Sequence, residues 1–132
     1  MNMIIPMLIC RDATNEIAFC RQAFDAVETS RHEGDGGAVI HATMKIGGAM
    51  FMIHDQSTNL SSKAPYPDGS SSVVIYLYVD EVDLVIERAI SNGARLLLPA
   101  EDKFWGDRVG RIIDPEHHIW NISSRVDKED QG

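Results

Sequence analysis

A pattern that occurs twice, 69 positions apart, restricts this chain more than any other feature of its sequence. Ile5-Pro-Met-Leu-Ile-Cys-Arg-Asp12 is an apolar strand-like run that ends in an acidic residue and a helical pattern. Val74-Ile-Tyr-Leu-Tyr-Val-Asp-Glu81 repeats it, followed by a helical stretch and a stopping Gly93. Each half closes on another strand pattern, Met50-Phe-Met-Ile-His54 and Ile119-Trp-Asn-Ile-Ser123, with the same 69-residue offset. Two copies of a strand–helix–strands unit imply a pseudo-symmetric fold in which neither copy buries its apolar face alone. The 132 residues suffice for one core but not for two independent ones.

The secondary structure follows from the periodicity. A strand is expected over about residues 3–10, then a helix from Ala13 to about Phe24 capped by the Asp12 carboxylate, with Ile17, Ala18, Cys20 and Phe24 as its apolar face. A short strand is expected over Ala26–Ser30 and a turn over His32–Gly37. Strands Val39–Ile46 and Ala49–His54 are joined by Gly47-Gly48, a two-residue hairpin signal. The Ser-, Pro- and Gly-rich stretch from Asp55 to Ser72 reads as a mobile loop linking the halves. The second half reads as strand Val73–Val79, helix Val82–Asn92, strand Arg95–Leu98, a loop through Phe104-Trp-Gly106, strand Val109–Ile113, turn Asp114–Glu116 and strand His118–Ser123. This gives one α+β domain: module one over 3–55, a linker loop over 56–71, module two over 72–124 and a frayed C-terminal tail over 125–132.

Charge and cysteine usage exclude several classes. A net charge of −8 with scattered Lys and Arg does not suit a nucleic-acid partner, which needs a concentrated basic face. The apolar start lacks a basic leader and breaks at Pro6 and Arg11, so it reads as strand rather than signal peptide, and no membrane association is expected. Cys10 and Cys20 form neither a disulfide framework nor a zinc spacing, which fits a reducing, cytoplasmic setting.

Two βαβββ modules, the Val79-Asp-Glu-Val-Asp83 approach to a helix and the Asp114-Pro-Glu-His-His118 turn resemble the vicinal oxygen chelate superfamily, which includes glyoxalase I, bleomycin-resistance proteins and extradiol dioxygenases. Met44-Lys-Ile-Gly-Gly-Ala-Met50, Phe104-Trp-Gly-Asp-Arg108 and Arg111-Ile-Ile-Asp-Pro115 resemble its PhnB-like branch more narrowly. The resemblance covers Ile4 to about Ser124. It implies an incomplete barrel around a cavity, commonly in a homodimer, and a divalent metal held by one residue on the first and one on the last strand of each module. Those positions here are Ile5, Val74, Met52 and Asn121. Three apolar or thioether side chains and one neutral amide cannot replace water on a hard or borderline cation, and a one-residue slip brings in no better donors. The expectation is a cavity that uses no metal at that site.

Strand alternation names the other cavity-facing residues. Met7 and Ile9 share parity with Ile5, and Tyr76 and Tyr78 with Val74, while Ile75, Leu77 and Val79 pack under the helix. Across the Gly47-Gly48 turn, Thr43 falls opposite Met52 and His41 opposite His54, with Ala42–Ile53 and Met44–Phe51 on the core face. Cross-strand neighbours lie roughly 4.5–5.5 Å apart at Cβ, so His41 and His54 either share acid–base work or are half-exposed polar residues near a sheet edge. Trp105, beside Phe104, needs cover from the protein's own core, a partner chain or a ligand. Asp107 and Arg108 read as a local ion pair, His117 and His118 as turn structure, and Met3, Met7, Met50 and Met52 as strand packing rather than a soft-metal box. No nucleophile motif or phosphate loop is present.

The expected function is small-molecule binding in a cavity lined by Met7, Thr43, Met52, Val74, Tyr76, Tyr78, Trp105 and Asn121, with no cofactor, in a homodimer. The alternative is a glyoxalase-, lyase- or dioxygenase-like enzyme working through His41 and His54, metal-free or with a divalent metal moved onto them.

Overall fold

A computed structural model describes residues 1–126 of the chain, so residues 127–132 of the tail expected over 125–132 lie outside the described residues. Module one comprises β1 (Met7–Cys10), α1 (Ala13–Phe24), β2 (Val27–Glu33), β3 (Val39–Ile46) and β4 (Ala49–Asp55). Module two comprises β5 (Val74–Tyr78), α2 (Val82–Ser91), β6 (Arg95–Asp102), β7 (Asp107–Ile113) and β8 (Ile119–Arg125). Each is a mixed four-stranded sheet, ordered β1-β4-β3-β2 and β5-β8-β7-β6. The fold is α+β, two βαβββ modules in one chain.

The repeat is physical. Met7 lies beside Met52 in the parallel β1–β4 ladder, and Tyr76 beside Asn121 in the β5–β8 ladder, the same pairing displaced by 69 residues. The helices start at Ala13 and Val82, again 69 apart. Their caps differ: the Asp12 carboxylate accepts the Asn15 amide at 3.2 Å, whereas Glu81 makes no side-chain cap bond. Asp25 takes a left-handed conformation at the end of α1, and Gly93 at φ 104° follows α2. A left-handed residue commonly terminates a helix in this way.

One apolar core serves both modules. It gathers Ile17, Phe19, Phe24, Met44, Phe51 and Ile53 from module one with Ile86, Ile112, Trp120 and Ile122 from module two. Trp120 joins them: its ring centroid lies 4.7 Å from that of Phe24 and 6.1 Å from that of Phe51. Its Nε1–H donates to Asp114 Oδ2 at 2.8 Å. Ile75, Leu77 and Val79 pack against this core, as strand parity requires.

Several boundaries differ from expectation. The first strand is four residues long rather than spanning 3–10, so Ile5 precedes it; Pro6 has no amide hydrogen for a ladder, though its carbonyl accepts the Met52 amide at 2.9 Å. Strand β2 runs on to Glu33 and β6 to Asp102, because irregularities in the β2–β3 and β6–β7 ladders hide their alternation. Strand β8 continues to Arg125, and the Val126 amide donates to Gly106 O at 2.7 Å, so residues 125 and 126 belong to module two rather than to a tail. The linker folds into a short turn at Thr58–Leu60 with an isolated bridge between Ser57 and Ser62.

Candidate functional site

The ladders lay out rows of side chains on the sheet faces turned away from the core. In module one the row is Met7, Met52, Thr43 and Ser30. In module two it is Tyr76, Asn121, Arg111 and Leu98. Val74 lies one step along the same face of β5, whereas Ile5 stands outside the ladder. The hairpin register across Gly47-Gly48 runs as expected from Ile46–Ala49 through Met44–Phe51 and Thr43–Met52 to Ala42–Ile53. Gly47 alone of the pair takes a positive φ, 57°, which suits a two-residue turn with glycine first.

Arg111 was not among the expected site residues. Its Nε–H donates to Asn121 Oδ1 at 2.7 Å, so the one neutral carbonyl at the four former ligand positions is already committed to a guanidinium. The 69-residue repeat hides Arg111, because Thr43 would match Ile112. Five residues, Asp114 to His118, separate Ile113 from its partner Ile119, against two in the module-one hairpin, and β7 is displaced by one position. Counting the register back through that longer turn would have found it.

Tyr76 and Tyr78 are 43% and 52% exposed, with ring centroids 5.5 Å apart, and form an open aromatic surface. Tyr78 donates its hydroxyl to Asp107 Oδ2 at 2.6 Å. That bond to a carboxylate raises the phenol above its ordinary value, with desolvation adding to it. Asp107 and Arg108 are therefore not a local ion pair. They alternate across β7, and Arg108 reaches Asp83 at 3.0 Å and Asp102 at 3.1 Å on the other side. Trp105 remains 54% exposed and Phe104 90%, their rings edge-to-face at 5.0 Å. The chain's own core does not cover them.

The two histidines occupy different settings. His54 is buried, and its Nδ1 lies 2.6 Å from Asp55 O, which can only accept, so Nδ1 is the donor of that bond. His41 is half-buried and pairs across the sheet with His32, ring centroids 6.3 Å apart. The described β3–β4 register stops at Ala42–Ile53, one residue short of setting His41 against His54.

An open cleft lies elsewhere. A cleft of about 660 Å³ runs along the free edge of β1, between Pro6–Ile9 and the start of β5, under linker residues Lys63 to Ser72. Beyond its floor the modules meet through buried acids. Asp114 Oδ1 accepts the amides of Glu116 and His118, and Glu116 accepts Asp12 N at 2.8 Å and Asn15 Nδ2 at 3.1 Å. Glu16 is fully buried beside them, and neither of its carboxyl oxygens has a donor among the described residues. Burial pushes the Glu16 carboxyl well above the ordinary range, and the neighbouring Asp114 carboxylate adds to the effect. His118 has a turn role through its amide, but its Nε2 also crosses to Ile9 O at 2.8 Å.

The superfamily's divalent ion does not fit the residues at its usual positions. Ile5 and Val74 offer no donor, Met52 only a thioether, and Asn121 an amide oxygen engaged by Arg111.

A 38% identical protein of Mycobacterium bovis aligns over 92% of this chain and 82% of its own length. Among solved structures, a glyoxalase/bleomycin resistance protein/dioxygenase family enzyme from Burkholderia phytofirmans superposes with a TM-score of 0.74 at 18% identity, covering 91% of this chain and 95% of that one. A PhnB protein from Bacillus cereus gives 0.71 at 19%, covering 93% and 99%. Identities this low speak for the shared fold alone. The profile of the Glyoxalase/Bleomycin resistance protein/Dioxygenase superfamily matches residues 4–122. With two βαβββ modules in register and that match over nearly its whole length, the chain belongs to this superfamily.

Proposed function

We propose that this chain is a small-molecule binding protein of the superfamily that uses its open sheet faces without the usual divalent metal. The observation that carries the proposal is the Asn121–Arg111 pair at 2.7 Å, flanked by Tyr76 in the same row. Where relatives with a metal would present a cation to vicinal oxygens, this chain presents a half-buried guanidinium beside Asn121, with Tyr76 in the same row. A guanidinium binds carboxylate or other oxyanion groups through directed N–H donors. Flat tyrosine faces and deformable methionines suit a planar, partly apolar body. The ligand class is therefore a flat molecule carrying an acidic oxygen. The Phe104-Trp-Gly-Asp-Arg108 run supports placing the chain in the PhnB-like branch.

A second copy completes the cavity in this proposal. β1 and β5 are edge strands of their sheets, and Met7, Tyr76, Tyr78, Leu98 and Trp105 are exposed in the single chain. Unpaired edges and apolar faces favour association, and a two-fold pair lets one patch cover itself on both sides. Sedimentation showing only a 14.7 kDa species at micromolar concentration would remove this part of the proposal.

A second reading rests on His54, whose Nδ1 bond to Asp55 O orients the ring and leaves Nε2 to serve as a base or metal ligand. It makes the protein an enzyme acting through His41 and His54. One experiment separates the two. Thermal melting is followed with a panel of flat aromatic carboxylates, with and without EDTA, in the parent, Arg111→Gln and His54→Ala. At a hundredfold excess over Kd a ligand adds about 2.7 kcal/mol of stability. Binding expects a shift that survives EDTA and is lost in Arg111→Gln. A shift or turnover that requires added metal and disappears in His54→Ala favours the enzyme.

A further inference from the structure

We infer that Cys10, Glu16 and His118 form a buried site for a borderline divalent cation, zinc foremost, at the junction between the modules. Their ligand atoms, a thiol sulfur, a carboxylate oxygen and an imidazole nitrogen, all lie within 4.8 Å of one another. Two come from module one, and the third from the turn before β8, more than a hundred positions along the chain. No sequence spacing announces the group. The site stands apart from the Met52 and Asn121 rows and uses none of their side chains.

The geometry is close to what a tetrahedral ion needs. Zinc bonds of about 2.3 Å to sulfur and about 2.0–2.1 Å to nitrogen place those ligand atoms roughly 3.6 Å apart. Cys10 Sγ and His118 Nε2 are 3.8 Å apart. Sulfur, nitrogen and carboxylate oxygen together select zinc or a late first-row ion over calcium or magnesium.

The charge pattern points the same way. Glu16 has no exposed surface, and both of its oxygens lack a donor among the described residues. A buried carboxylate that receives no donor must hold a proton, which the adjacent Asp114 carboxylate can accept in a hydrogen bond, or meet a cation. The adjacent acids do not need that cation. Asp114 takes three N–H donors, from Trp120, Glu116 and His118, and Glu116 takes two. A thiolate and the Glu16 carboxylate would together neutralise a 2+ ion in this low-dielectric place. Three protein ligands leave a fourth position, and His118 and Ile9 both line the 660 Å³ cleft that gives access to it. On binding, the Nε2 proton that Ile9 O accepts moves to Nδ1, the Glu16 carboxyl and the Cys10 thiol release their protons to solvent, and the ion links the modules.

Cobalt(II) titration of the EDTA-treated, dialysed protein tests this, because a thiolate ligand gives an intense near-ultraviolet charge-transfer band that oxygen and nitrogen ligands lack. The expected result is that band at one cobalt per chain, with zinc displacing cobalt. Cys10→Ser should abolish the band. Glu16→Gln and His118→Asn should each weaken zinc binding by about a hundredfold or more in competition with a chromophoric chelator. Asn121→Ala should leave the spectrum unchanged. A parent protein without the band overturns the inference, as does binding that survives Cys10→Ser. The parent spectrum decides even where the Glu16 or Cys10 variant fails to fold.

Discussion

Replacing Trp120 with phenylalanine should remove a large fraction of the stability of the whole domain. The indole Nε1–H donates to a buried carboxylate, Asp114, at 2.8 Å, and a hydrogen bond to a charged group is worth about 1.5–3 kcal/mol. Phenylalanine cannot make it. The smaller ring also gives up roughly 40 Å² of buried surface, about 1 kcal/mol at 25 cal/mol/Å². Together these come to about 2.5–4 kcal/mol, against a total of about 5–15 kcal/mol for a domain. For a chain of this size each kcal/mol moves Tm by about 3–4 °C, so the midpoint should fall by roughly 8–16 °C. Unfolding should be followed by far-ultraviolet circular dichroism, since the remaining Trp105 is 54% exposed and a poor reporter of the core. Asp114→Asn completes a double-mutant cycle, and a coupling of about 0.5–3 kcal/mol is expected for residues in one network. A loss below about 1 kcal/mol in Trp120→Phe, or strict additivity with Asp114→Asn, would refute the view that this bond anchors the ring on which both modules pack.

Two other outcomes are expected. A Cβ at Gly110 would stand 2.5 Å from Ile86 Cδ1 and 3.2 Å from the backbone nitrogen of Ala100, so Gly110→Ala should cost about 1–3 kcal/mol in urea unfolding. Ile86→Val, which removes the clashing methyl, should recover part of that loss, and no recovery would place the strain on the β6 backbone. In an absorbance titration, Tyr66, lowered by its bond from Lys63, should ionise before Tyr78, raised by Asp107. Any stability that the Tyr78 hydroxyl bond contributes is whole below the ordinary phenol value of 10.0 and is lost as pH rises through the higher folded value. Tyr66→Phe should delete the earlier of these two transitions and Tyr78→Phe the later; the reverse order contradicts both assignments.

The sequence by itself determined the doubled βαβββ plan, both helices to within a residue, and the face of each central strand. These follow from local rules: alternation in strands, the 3.6-residue period, the Asp12 cap and the Gly47-Gly48 turn all act within a few residues. It also sufficed to show that Ile5, Val74, Met52 and Asn121 make a poor metal site, because donor chemistry belongs to residue type. Only the tertiary structure placed Arg111 on Asn121, since a longer turn breaks the repeat by one position. Only it sent Asp107 to Tyr78 and Arg108 to Asp83 and Asp102, where adjacency in sequence suggested that the two paired with each other. Only it brought Cys10, Glu16 and His118 within 4.8 Å. The physical reason is common to all three: periodicity says which way a side chain points, but its partner is chosen by how strands, helices and modules pack together, and that packing depends on shape and burial across the whole chain.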